Sequence, residues 1–149
     1  MKRILLAVLI GVGLSGCTYF NRFFNIPSNE TPLVVVVNGE VKEVTPEPLR
    51  FNNAQGRVTI YWQAPTGYRF AAKNGIVING ERIGGPDGRL DPAQNEIVEC
   101  GPAREDRSEF SCVNRNSRPG IYKYTVSMET VDGKPLKPFD PSIYNGAGL

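Results

Sequence analysis

Arg57-Val58-Thr59-Ile60-Tyr61-Trp62-Gln63 alternates strictly along its length. In an extended chain successive side chains point to opposite faces. Val58, Ile60 and Trp62 therefore share one face, and Thr59, Tyr61 and Gln63 the other. A period of two predicts a half-buried strand, with Trp62 at the centre of the core. The same period returns in Ile121-Tyr122-Lys123-Tyr124-Thr125-Val126-Ser127-Met128, which puts Tyr122, Tyr124, Val126 and Met128 together.

Working outward, Leu33-Val34-Val35-Val36-Val37 is separated from Glu40-Val41-Lys42-Glu43-Val44 by Asn38-Gly39. Both turn residues of a tight hairpin take positive φ, which asparagine and glycine tolerate, so a hairpin is expected there. Asn79-Gly80, between Ile76-Val77-Ile78 and Glu81-Arg82-Ile83, predicts a second hairpin on the same grounds. Thr45-Pro46-Glu47-Pro48-Leu49 cannot be central strand, because two prolines deny ladder donors; it reads as an edge or crossover. Residues 84–94 are rich in turn residues, and Asp132-Gly133 marks a further turn. Short strands between turns predict an all-β fold, an antiparallel β-sandwich of about seven strands.

The amino terminus follows different rules. Met1-Lys2-Arg3 precedes an uncharged apolar run over residues 4–14, then Ser15-Gly16-Cys17. A basic start, a short apolar stretch and small residues before a cut site make an export signal. The run is shorter than the about 20 residues that span a bilayer. Leu14-Ser15-Gly16-Cys17 resembles the lipobox of bacterial lipoproteins. The resemblance implies cleavage before Cys17 and acylation of that residue. It also implies the outer membrane of the cell envelope, because Thr18 replaces the aspartate that marks inner-membrane retention. The expected organisation is a signal peptide at 1–16, a lipidated tether at 17–31, a sandwich domain at 32–145 and a tail at 146–149. Tyr19, Phe20, Phe23 and Phe24 in the tether suit either the headgroup level of a membrane or packing on the domain.

Without the first 16 residues, 133 of the 149 remain, which suits one domain. The excess of 17 basic over 15 acidic residues is Lys2 and Arg3, so the mature chain is balanced. No basic footprint for nucleic acid exists overall. The chain has no histidine, which excludes histidine triads and histidine-ligated metals. Gly-x-Ser-x-Gly is absent. Gly11-Val12-Gly13-Leu14-Ser15-Gly16 matches a dinucleotide fingerprint only inside the removed signal. Asp87-Gly88-Arg89-Leu90-Asp91 lacks the ordered oxygen ligands and distal glutamate of a calcium loop, and reads as a solvated turn. No catalytic residue, metal or cofactor is expected.

With Cys17 committed to lipid, Cys100 and Cys112 remain in an oxidising compartment, where an even pair forms a disulfide. Both lie in strand-like stretches, so a short bridge across an antiparallel ladder is expected, worth about 2–3 kcal/mol. Between them, Arg104-Glu105-Asp106-Arg107-Ser108-Glu109 forms a mixed-charge tip, with Arg115 and Arg118 just beyond. A loop braced by a disulfide, with arginines to anchor a partner, is the candidate binding region, represented by Arg104, Glu105, Asp106, Arg107, Arg115 and Arg118. Tyr61 and Tyr68 are the candidates for stacking on a glycan.

Trp62 on a central strand, with Gly120-Ile121-Tyr122-Lys123-Tyr124 late in the chain, resembles an immunoglobulin-type sandwich. The Gly-x-Tyr segment resembles the beginning of strand F, which implies a tyrosine hydroxyl tied to nearby backbone. Tyr124 stands where antibody domains carry their second core cysteine, so the disulfide lies elsewhere. A closer likeness joins residues 58–145 to small exported bacterial domains of no assigned activity. They share Ile60-Tyr61-Trp62, Gly67-Tyr68-Arg69-Phe70 through Gly75-Ile76, and Asp140-Pro141-Ser142-Ile143-Tyr144-Asn145. A sandwich of this kind hosts many functions. The expected function is a non-enzymatic envelope lipoprotein presenting its sandwich for protein–protein contact or envelope assembly. The alternatives are an immunity or inhibitor protein against a toxin or hydrolase, and a peptidoglycan- or glycan-binding module.

Overall fold

The computed structural model describes residues 26–146, and within them the fold is an all-β sandwich. The strands in chain order are β1 (Leu33–Val37), β2 (Glu40–Thr45), β3 (Leu49–Phe51), β4 (Val58–Gln63), β5 (Tyr68–Phe70) and β6 (Ile76–Ile83). Then follow β7 (Arg89–Asp91), β8 (Ile97–Pro102), β9 (Glu109–Asn114), β10 (Gly120–Val126), β11 (Met128–Thr130) and β12 (Ser142–Asn145). One sheet has the order β2-β1-β4-β9-β8, the other β3-β12-β10-β6-β7, and β5 with β11 makes a two-stranded ribbon.

Alternation builds the core as expected. Val34, Val44, Ile60, Trp62 and Cys112 come from the first sheet, and Phe51, Tyr122, Tyr124, Val126 and Ile143 from the second, all at most 1% exposed. Trp62 meets Tyr124 across the sheets, with ring centroids 5.5 Å apart and planes at 61°. Its indole N–H donates to the Tyr124 hydroxyl at 3.2 Å. Burial raises the pKa of that phenol far above its ordinary value.

A second inter-sheet lock is made of amides. Asn114 of β9 and Asn145 of β12 each donate to the other's side-chain carbonyl, at 2.8 and 2.9 Å, and both are buried. Asn116 donates its backbone N–H to Asn114 and its side-chain amide to the carbonyls of Asn52 and Gly56. This ties the short 3-10 turn at Asn53–Gln55 to the same end of the sandwich.

The structure departs from the sequence reading in several places. There are twelve strands among the described residues, and two of the pairings, β1 with β4 and β3 with β12, are parallel. Asn79-Gly80 is no hairpin. Residues 76–83 form one strand with an irregularity against β10. Gly80 (φ +145) is there because β7 passes so close that a Cβ would lie 2.5 Å from the Asp91 carbonyl oxygen. The true tight turn is Asn38-Gly39, with φ of 52 and 76. Residues 28–31, expected in the tether, belong to the domain: the Tyr61 backbone N–H donates to the Glu30 carbonyl and the Arg50 N–H to Asn29 Oδ1. Thr45 to Leu49 does cross between sheets, from β2 to β3, with both X–Pro bonds cis. The Trp62 strand and the Tyr122 strand lie in opposite sheets, whereas the immunoglobulin pattern pairs such strands within one sheet. The Tyr122 hydroxyl, expected to tie back to backbone, is buried and makes no hydrogen bond.

Asn145→Ala removes both inter-sheet amide bonds and leaves Asn114 buried without its partner. We expect a loss of about 1–3 kcal/mol, seen as a lower urea midpoint at unchanged m-value.

Candidate functional site

The candidate region is built on the β8–β9 hairpin. The two strands pair through Val98↔Val113 and Gly101↔Ser111, and the register shifts between them at Glu99-Cys100, with Glu99 at φ 52. This bulge brings Cys100 opposite Cys112, with Cα atoms 4.1 Å apart, and the expected disulfide is formed. Cys112 is fully buried; Cys100 sits exposed on the sheet edge. Beyond them, Ala103, Arg104, Glu105 and Asp106 are exposed and line a shallow cup of about 500 Å³. Asp106 Oδ1 accepts from the Ser108 hydroxyl at 2.7 Å and its N–H at 3.0 Å, which holds the carboxyl below its ordinary pKa.

Arg107 does not join that surface. At φ 58 it turns toward β5 and β11 and donates to the Phe70 carbonyl at 3.0 Å and to Glu129 Oε1 at 2.9 Å. Arg69 Nε reaches the same oxygen at 2.8 Å. Partial burial works to raise the Glu129 pKa, and the hydrogen bonds from Arg107 and Arg69 outweigh it, so the carboxyl is held below its ordinary value. The loop is thus fixed at both shoulders, by the disulfide on one side and by two guanidiniums sharing a carboxylate on the other.

Arg115 and Arg118 lie at the far end of β9, about 20 Å from the tip at the rise of an extended chain. Arg115 is exposed, and its backbone N–H donates to the Glu96 carbonyl. Arg118 grips Glu81 through two hydrogen bonds, at 2.6 and 2.5 Å, and approaches Glu96 at 3.9 Å. Glu96 also accepts from the Ser117 N–H and hydroxyl. Both glutamates are buried, at 7% and 3% exposed, while the Arg118 side chain is 46% exposed. Burial beside these carboxylates raises the Tyr122 pKa well above the usual phenol value. This cluster closes the seam between β6 and β8 from outside. Its carboxylate oxygens accept from Arg118 and Ser117, so the cluster holds charge in place.

The six sequence-predicted residues therefore separate: Arg104, Glu105 and Asp106 stand together at the tip, Arg107 braces it, and Arg115 and Arg118 belong to the opposite end. Glu81, Glu96, Glu129 and Arg69 were missed. Glu81 had a findable signal, since once residues 76–83 are one strand it lies opposite the inward Tyr122. Tyr61 is half-buried on the outside of the first sheet, and Tyr68, also half-buried, packs one side against the core. Asp91 Oδ1 accepts the Ala93 N–H, the turn role expected of that loop. Cys17, the lipobox and the four tether aromatics lie outside the described residues. No known protein family matches this sequence, and no curated protein matches it.

Two outcomes follow from this geometry. A carboxylate whose pKa is lowered on folding adds stability above its unfolded value of 4.5, and that stability is lost as pH falls through the lower folded value. Thermal unfolding followed from pH 7 downward should therefore lose stability below about 4.5, with a shallower decline in Glu129→Gln. Arg118→Ala leaves two buried carboxylates facing each other. We expect it to cost about 2–3 kcal/mol, less than the about 3–5 of a fully buried pair because water reaches the guanidinium.

Proposed function

We propose that this chain is a non-enzymatic, lipid-anchored protein of the bacterial envelope, held through Cys17 in the outer membrane, that offers the β8–β9 tip to a protein partner. The observation that carries the reading is the way the tip is fixed. Arg104 and Glu105 are exposed on a loop whose shoulders are clamped by Cys100–Cys112 and by Arg107–Glu129–Arg69. An exposed loop that is already ordered loses little entropy on docking. Arginine at its apex suits an interface anchor. The lipobox-like Leu14-Ser15-Gly16-Cys17 supports the address, and several acyl chains on one residue make durable anchoring. A rigid loop also suits an inhibitor that fills an enzyme's cleft, which is the second reading.

The test is a photo-crosslinking residue at Glu105 in the tagged full-length chain, in intact cells. One stoichiometric envelope protein should be captured, and capture should fall when Arg104 is changed to Glu. Cys17→Ser should release the chain from the membrane fraction and abolish acyl mass on the amino-terminal peptide. If the captured protein is a hydrolase whose turnover stops in the complex, the inhibitor reading replaces the assembly reading. A crosslink pattern unchanged by Arg104→Glu would remove the tip from the argument.

A further inference from the structure

The outer face of the β3-β12-β10-β6-β7 sheet carries a row of side chains that runs across all five strands. Arg50 pairs with Tyr144, and Tyr144 with Ile121. Tyr122 opposes Glu81, which places Ile121 beside Arg82, and Arg82 pairs with Leu90. The neighbours Leu49, Phe51, Tyr122, Ile143 and Glu81 are buried, so the row points outward. Arg50 and Leu90 are exposed, and the three between are partly so. The Arg50 guanidinium lies over the Tyr144 ring, 5.1 Å from its centre, and Arg82 Nη1 donates to the Gly88 carbonyl. The row contains two arginines, a tyrosine, two aliphatic residues and no acid. At the spacing of neighbouring strands it is about 19 Å long.

Chain geometry puts an anchor at Cys17 within reach of this row. Asn29 Oδ1 accepts the Arg50 N–H at 2.9 Å, so the segment coming from Cys17 reaches the fold at the Arg50 end. Ile26 is nine Cα–Cα steps from Cys17. Fully extended they reach about 30 Å, more than the length of the row. An anchor at Cys17 can therefore lie under any part of this face. Guanidiniums pair with phosphate oxygens, tyrosine favours the headgroup level, and aliphatic side chains enter it shallowly. Lys123, on the same face, adds a third cation, next to Asp140 and near Glu47; both acids already accept hydrogen bonds, from Thr125 and Ser142.

We propose that this face lies flat on the anionic headgroup surface of the membrane that holds the anchor, turning the other sheet and its tip toward the aqueous side. The proposal rests on the lipid-anchor reading above. The full-length chain, acylated and inserted into vesicles through its own anchor, is labelled by hydroxyl radicals and read by mass spectrometry. On phosphatidylethanolamine vesicles containing phosphatidylglycerol, labelling of Tyr144 and Leu90 should drop several-fold relative to detergent, with Val131 unchanged. The protection should be lost in pure phosphatidylcholine and in the Arg50→Glu/Arg82→Glu variant, although both still float with the vesicles. Unchanged labelling on anionic vesicles in a chain that floats would overturn the proposal and leave the row to a protein partner. A chain that does not float would overturn it differently, by refuting the anchor.

Discussion

Everything in this sandwich is registered to the contact between Trp62 and Tyr124. An indole N–H taken out of water needs an acceptor, and here the acceptor sits on the opposite sheet. The bond and the edge-on packing of the rings fix how far apart the sheets are and how they slide against each other. β4 and β10 are the middle strands of their sheets. A lock at their crossing therefore sets the position of every flanking strand, including those that reach the functional surfaces.

Around that lock the polar groups are divided by task. At one end, the Asn114–Asn145 exchange and the Arg118 clamp close the gap between sheets with groups that have given up water and found partners. At the other, Arg69, Arg107 and Glu129 support a loop whose outermost charges stay in solvent. Similar residue types thus serve closure in one place and presentation in another. What separates them is burial of the carboxylate, nearly complete at Glu96 and absent at Glu105.

Two of the longer strands were readable from alternation. Val58 to Gln63 and Ile121 to Val126 are strands with the predicted faces inward, and Cys100 and Cys112 are joined as expected. Strands of three residues, such as β3, β5, β7 and β11, hold too few positions for a period to register and exist through their neighbours. Asn79-Gly80 misled because the same dipeptide meets two demands, a positive-φ turn and a close backbone approach, and local sequence does not separate them. The candidate loop was legible at its apex, Arg104 to Asp106. The roles of Arg107 and Arg118 were not, because their acidic partners, Glu129 on β11, Glu81 on β6 and Glu96 just before β8, come from distant parts of the chain.

The bulge at Glu99-Cys100 has a consequence for how copies of the chain meet one another. Proteins confined to a surface meet one another at a far higher effective concentration than in free solution, and an open sheet edge then becomes a template for uncontrolled strand addition. β8 is such an edge, but its ladder is broken where Glu99 takes a left-handed conformation, and Pro102 at its end has no N–H to donate. The irregularity that lets the cysteines meet also spoils the edge for a second copy. Two copies meeting at this edge therefore find no continuous ladder to extend.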